Sequence, residues 1–462
     1  QSWAEVMRRH PILRTGFRTT AEGLALQLVW AALPVPLEVV DWRSLDEAQQ
    51  RERLEAYLRE DRVRGFDPQD APQWRMLLAR VADDRHELVW SAHHTILDGW
   101  SLGIVLRDVT EWYGALTSGR SLERTPARPY RDYVSWLQEQ DLEQAEQYWR
   151  DTLHGIDGAV PLSIERYTPA AASGAAGHAE TDVFFGAEET AQLHALAAAN
   201  RLTLNTLLQG CWALLLGRYA EADDIVFGTV VSGRPADVTG VEGTVGLFIN
   251  TLPLRVQLPA DSTVVDWLQA LQQQNLSMRH YEYSPLSKVR QWSGLPAGVP
   301  LFDSLFVFEN YPVEKEAGAL RIALTRSEER VNYAIGLVAS VPEDRLRITV
   351  QYDTARFERD AVERMIGHLR GICGQIAESP QMRLSGITVL TEEERRQVLQ
   401  QSEQAPIADD FDLSAYAAAI SDDAERALLE QLVAEVRSLS QSDLQDRIPT
   451  ASPATETSDD HE

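Results

Sequence analysis

The run from Tyr167 to Gly177, Thr-Pro-Ala-Ala-Ala-Ser-Gly-Ala-Ala between those ends, has no hydrophobic period and nothing bulky to bury after its opening tyrosine. Such a stretch cannot join a packed core, so it reads as an exposed linker, taken as residues 167-180, between two lobes at 1-166 and 181-402. Each lobe mixes both periodicities. In the first, strand patterns at Leu24–Val29, Met76–Val81 and His86–His94 alternate with helical ones near Leu45–Asp61, Leu102–Thr117 and Leu142–Leu153. The second repeats that grammar, with helices around Leu193–Ala197, Thr206–Tyr219, Val265–Leu276 and Ala361–Ile376. Its strands are expected at Asp224–Val231, Phe248–Val256, Ser304–Glu309, Tyr333–Ser340 and Leu346–Tyr352, with a turn at Ser232-Gly233-Arg234-Pro235. The pattern predicts layered α/β architecture in both lobes, an element order consistent with duplication.

The chemistry concentrates where one strand hands over to a helix. In Ser91-Ala92-His93-His94-Thr95-Ile96-Leu97-Asp98-Gly99-Trp100-Ser101, two adjacent histidines stand three residues before an Asp-Gly pair. Leu88, Trp90, Ala92 and His94 share one face of the expected strand, so His94 ends a face that is otherwise apolar. Ser101 is the expected N-cap of the helix that follows. His94 is then either a base held over a tight Asp98-Gly99 turn or a buried histidine beside a structural one.

Other chemistries lack their residues. No phosphate-cradling Gly-rich loop, zinc-spaced Cys/His cluster, Asp-rich calcium loop or Gly-x-Ser-x-Gly elbow occurs in the chain. Cys211 and Cys373 sit in apolar helical patterns and read as small core residues. A formal charge of -27 argues against nucleic acid and anionic membranes as partners. The absence of a long apolar run or signal peptide makes cytoplasm the expected location. The charge is uneven: residues 403-462 hold 15 acidic side chains against three arginines. Within that tail, residues 422-438 pattern as one amphipathic helix, marginal alone, and the end beyond Pro449 patterns as disordered.

Five ordered segments resemble the condensation domains of nonribosomal peptide synthetases, within the chloramphenicol-acetyltransferase-like superfamily, over most of residues 1-400. His93-His94-Thr95-Ile96-Leu97-Asp98-Gly99 resembles the family's HHxxxDG signature. Arg9-His10-Pro11-Ile12-Leu13-Arg14-Thr15-Gly16-Phe17 resembles RHxxLRTxF, and Tyr130-Arg131-Asp132-Tyr133-Val134-Ser135-Trp136 resembles YxDYxxW. Val245-Gly246-Leu247-Phe248-Ile249-Asn250-Thr251 is similar to VGxFxNT, and residues 300 to 312 resemble the late Phe-rich block.

The resemblance implies two chloramphenicol-acetyltransferase-like lobes in a V-shaped pseudo-dimer around a central tunnel. Phosphopantetheine arms of donor and acceptor peptidyl carrier proteins would enter that tunnel, and no cofactor would be bound by the chain itself. The implied reaction joins an acyl or peptidyl thioester to an amine. A neutral imidazole at His94 has the basicity either to take the amine's proton or to orient the amine. Backbone N–H groups at Gly99 either hold the oxyanion or simply make the turn. His93 is read as a packing and hydrogen-bonding residue. Asp98 is read as structural, a buried carboxylate needing a cation, with Arg14 as the expected partner. Tyr130, Tyr133 and Trp136 are expected in the core, and Asn250 is expected to bond backbone where strands meet.

Neither the Asp-rich motif of heterocyclising relatives nor an EGHGRE-like block of epimerising ones is present. Leu97, where many domains for L-configured donors have Ser, leans toward another donor class. Gln1 opens on the helix leading into Arg9, so the first lobe is expected to lack the family's first motif and opening strand. With no adenylation motif following, the 422-438 helix is expected to dock on a downstream synthetase protein or to pack on this chain. Two rival readings are a same-fold transferase acting on a free alcohol or amine, and a non-catalytic module that recruits carrier or tailoring proteins.

Overall fold

The structure is a computed structural model that describes residues 1–165, 177–309, 322–329, 333–391 and 393–396. The first lobe comprises α1 (Ser2–Arg9), β1 (Thr15–Thr19), β2 (Ala25–Val29), β3 (Leu37–Asp41), α2 (Glu47–Arg64), β4 (Trp74–Arg80), β5 (His86–Ala92), α3 (Gly99–Thr117), α4 (Arg131–Gln138) and α5 (Leu142–Thr152). Strands β1 and β2 pair antiparallel, and a second sheet runs β3-β4-β5, with β3 parallel and β5 antiparallel to β4. Central β4 buries Trp74, Met76, Leu77 and Ala79. Helix α1 packs on α3, and Val6, Met7, Leu13, Ile104 and Val105 join Trp74 in the lobe's core.

Helix α2 has no apolar stripe, and a polar pin holds it instead. Buried Asp61 accepts from Arg75 of β4, from Arg64 at 2.8 Å and from Ser91 of β5 at 2.6 Å. Ion pairs of this kind, closed by hydrogen bonds on every side, offset the desolvation of the carboxylate. The residues between helices are tied similarly: His10 lies 2.7 Å and Arg124 2.5 Å from the buried Asp108 of α3.

The second lobe comprises β6 (His178–Phe184), α6 (Ala187–Ala199), α7 (Leu204–Ala220), β7 (Asp224–Val231), β8 (Asn250–Gln257), α8 (Val264–Met278), α9 (Leu286–Trp292), β9 (Ser304–Glu309), β10 (Ile335–Ser340), β11 (Arg347–Asp353) and α10 (Arg359–Glu378). Among the described residues, six strands form one mixed sheet in the order β6-β11-β10-β9-β7-β8. Helix α7 is apolar nearly all round, as befits a helix buried against α8, α10 and the sheet. Cys211 of α7 and Cys373 of α10 are both buried in this core, and neither is bridged.

Several expectations shift. Strand β5 ends at Ala92, so His93 and His94 belong to the corner and do not extend the strand's face. The N-cap of α3 is Asp98, not Ser101: its side chain accepts the Ser101 N–H, and the helix begins three residues earlier than expected. Residues 178-180, assigned to the linker, open β6. Helix α5, counted with the first lobe, buries Ala145 and Trp149 among Val226, Leu252, Met278 and Phe302 of the second. Among the described residues the sheets differ in size, a two-stranded and a three-stranded sheet in the first lobe and one of six strands in the second.

Residues Gln1–Val389 make one compact unit, and Leu390–Glu462 make another. In the latter, Thr391 and Glu394 cap each other's backbone N–H groups. The acidic helix expected at 422-438 lies outside the described residues. No helix among the described residues is long and apolar enough to cross a membrane.

Candidate active site

The corner between β5 and α3 is fixed before any second-lobe residue reaches it. The His93 N–H donates to the Gln73 carbonyl at 2.9 Å, and the His93 ring accepts the Thr95 N–H at Nδ1, 3.2 Å away. The Thr95 hydroxyl lies 2.8 Å from the same nitrogen. Burial, and then the neighbouring His94 charge, lower the pKa of His93 and favour its neutral form, and the Thr95 N–H on Nδ1 leaves the ring proton on Nε2. His93 is therefore a brace for the corner.

His94 is the histidine that reaches outward, its side chain 52 % exposed. Its Nε2 stands 3.8 Å from Oε2 of Glu329, on the second-lobe segment 322–329. That carboxylate raises the pKa of His94 against the opposing effect of burial. The pairing in turn lowers the pKa of Glu329. The result is an accessible imidazole whose protonated form has an ionic partner ready.

Asp98 performs the opposite task. Only 2 % exposed, it accepts the Ser101 N–H at 2.7 Å and the Phe248 N–H at 3.0 Å. Arg234 Nη2 donates to both its oxygens, at 3.1 and 3.3 Å. Arg234 also donates to the carbonyls of Val241 and Thr244, at 2.6 and 2.9 Å, and lies over the Phe248 ring, 4.0 Å from its centroid. The Ser101 hydroxyl donates to the Gly246 carbonyl at 2.8 Å and accepts the Gly246 N–H at 3.0 Å. First-lobe helix α3 is thereby knotted to two second-lobe loops.

The cation beside Asp98 is thus Arg234 and not Arg14. Arg14 instead donates to the carbonyls of Trp30 at 2.9 Å, Arg8 at 3.1 Å and Met7, clamping the end of α1 to the end of β2. The signal for Arg234 was present: an arginine in the Ser232–Pro235 turn, directly after a buried strand. What hid it was a separation of 136 residues from Asp98. Glu329 carried no comparable signal, since a glutamate in a charged loop is ordinary.

Gly99 is the first residue of α3 and is not among the glycines with positive φ, so Asp98-Gly99 is a capped helix start and not a tight turn. Asn250 opens β8, where its Nδ2 donates to the Glu282 and Ser284 carbonyls at 2.8 and 2.7 Å. Tyr130 and Tyr133 pack on Phe248, at centroid distances of 5.2 and 4.6 Å, and Trp136 stacks on Tyr133. These rings support the loop that carries the Phe248 N–H to Asp98.

Comparison with known proteins identifies the family. The family model for the condensation domain matches residues 1–399. A component of the linear gramicidin synthase of Brevibacillus parabrevis is 41 % identical over 402 residues, which is 86 % of this chain and 8 % of that protein. Bacitracin synthase 3 of Bacillus licheniformis is 34 % identical over 412 residues, 86 % of this chain and 6 % of its own length. The chain therefore spans under a tenth of these curated relatives. Among solved structures, the X-domain from teicoplanin biosynthesis superposes with a TM-score of 0.71 at 27 % identity, covering 84 % of this chain and 89 % of that one. A four-domain nonribosomal peptide synthetase, AB3403, superposes with a TM-score of 0.72 at 19 % identity, over 85 % of this chain and 31 % of that one, and shares the fold. With its histidine corner, cross-lobe arginine and mixed α/β sheets, the chain belongs to the condensation domain family.

Proposed function

We propose that this domain forms an amide bond between a donor acyl or peptidyl thioester and an acceptor amine, both delivered by peptidyl carrier proteins, with His94 as the proton-handling residue. The supporting observation is the half-exposed His94 imidazole beside a carboxylate, on a corner braced by His93 and anchored through Asp98. The amine nitrogen attacks the thioester carbon, its proton passes to His94 Nε2, the C–S bond breaks, and the departing thiolate takes the proton back from the imidazolium. The first N–H groups of α3, at Gly99 and Trp100, are the candidates for holding the oxyanion, because they lie at the positive end of that helix. Phosphopantetheine belongs to the carriers and supplies the thioester that makes the acyl carbon electrophilic. The domain would work in the cytoplasm, with the acidic 422-438 region directing it to a downstream synthetase.

The test is a donor carrier loaded with an acyl-phosphopantetheine, mixed with the domain and an aminoacyl carrier or a free amine, and followed by mass spectrometry. Condensation should fall by about 10²-fold or more in His94→Ala. Unchanged amide formation in that variant would remove the assignment. Ester formation with free alcohols would favour the same-fold terminal transferase. Stable partner binding without turnover would favour the recruitment module, a reading to which the solved complex of the teicoplanin X-domain with OxyB lends support.

A further inference from the structure

The segment 322–329 reaches from the second-lobe sheet to the first-lobe helix α2. At one end Gln351 of β11 donates to the Glu329 carbonyl at 3.1 Å. Just before Glu329, Arg326 pairs with Glu55 of α2 at 2.6 Å, and Glu328 pairs with Arg62 of the same helix and with Arg326. Held in this way over residues 326–329, the strap sets the Glu329 carboxylate against His94 Nε2, and both side chains remain about half exposed. His94 has no other carboxylate partner this close among the described residues: Asp98 acts only through space, and its oxygens are committed to Arg234, Ser101 and Phe248.

We propose that Glu329 is a positioning residue for the reaction: it orients the His94 ring and is the counter-ion of the imidazolium that forms as the acceptor amine loses its proton. The site is then completed only when the second-lobe strap is seated on α2. This inference rests on His94 handling the proton. Among the described residues, these charges bear on the pair. His93, on the same corner, favours its neutral form; Asp98 sits below at the start of α3; Glu309 of β9 faces Glu329 as a like charge; and Arg347 of β11 faces Glu309.

The sign of the pH effect follows. A base must be neutral to act, and a carboxylate beside it raises its pKa, so activity rises with pH through a midpoint set above that of an isolated imidazole. Glu329→Gln removes the charge, moves that acid limb to lower pH, and leaves a weaker base without a counter-ion, so kcat/KM on the plateau falls about tenfold. A residue with only a structural role would lower the plateau without moving the limb. Glu329→Asp should restore part of both.

The deciding measurement needs no substrate. The chain is labelled at histidine 13Cε1, the His94 resonance is assigned through His94→Gln, and pH titrations are followed by NMR for the wild type, Glu329→Gln and an Arg62→Ala/Arg326→Ala double variant that unseats the strap. A lower His94 midpoint in both variants supports the proposal. An unchanged midpoint in Glu329→Gln overturns it. Since no condensation is involved, that result stands apart from failure of the proposed activity, which His94→Ala tests separately.

Discussion

Removing the guanidinium of Arg234 would leave the Asp98 carboxylate in a dry interface with two backbone N–H donors and no cation. An orphaned buried charge of this kind costs about 3–5 kcal/mol, so Arg234→Ala should lose that much in denaturant unfolding. Arg234→Lys keeps the charge but cannot span Asp98 and the carbonyls of Val241 and Thr244 together. Its expected loss is smaller, about 1–3 kcal/mol; a lysine variant as stable as the wild type would mean that the fork geometry is irrelevant. At this scale the sequence was half legible. His93, His94 and Asp98 are neighbours along the chain, and their chemistry follows from their spacing. Arg234 and Glu329 reach the corner through the tertiary fold, which residue spacing does not encode, and the nearest arginine-rich motif offered the wrong cation.

Among elements, the long apolar patterns were the readable ones. Strands β7 and β9 lie at their expected residues, and α3, α7 and α10 run within a few residues of theirs, because a continuous buried face leaves a clear period. Strands β1 and β3 left little trace: β3 is an edge strand with Leu37 and Val39 exposed, where alternation is weakly imposed. The start of α3 is ambiguous by composition because Ser101 is also a good cap; a carboxylate three residues earlier outcompetes it. The loop holding Arg234 depends on Gly233, whose φ of +59° lies in the left-handed region and whose missing Cβ makes room for the Phe248 carbonyl. Gly233→Ala meets both the backbone strain and that carbonyl, and should destabilise by about 2 kcal/mol or more. A thermal shift no larger than that of Gly243→Ala, where open space surrounds the added methyl, would contradict this reading.

For the molecule as a whole, the lobes share more than a linker. Helix α5 is buried in the second lobe's core, α3 is bonded to the loops around Arg234 and Gly246, and the Glu329 strap returns to α2. Scanning calorimetry should therefore give one cooperative transition for both lobes, with Arg234→Ala broadening it or splitting it in two. Two resolved transitions in the wild type would count against such coupling. The Tyr167–Gly177 run marked an expected boundary, but its position along the chain did not reveal which elements each core claims, as α5 shows. The joint at Asp98 bears on domain recombination. Exchanging one lobe for that of a relative would not cut at a seam; it would split a single bonded unit drawn from residues 98–101, 234 and 246–248. A functional chimera has to inherit those residues from one parent, or carry compensating partners on both sides of the cut.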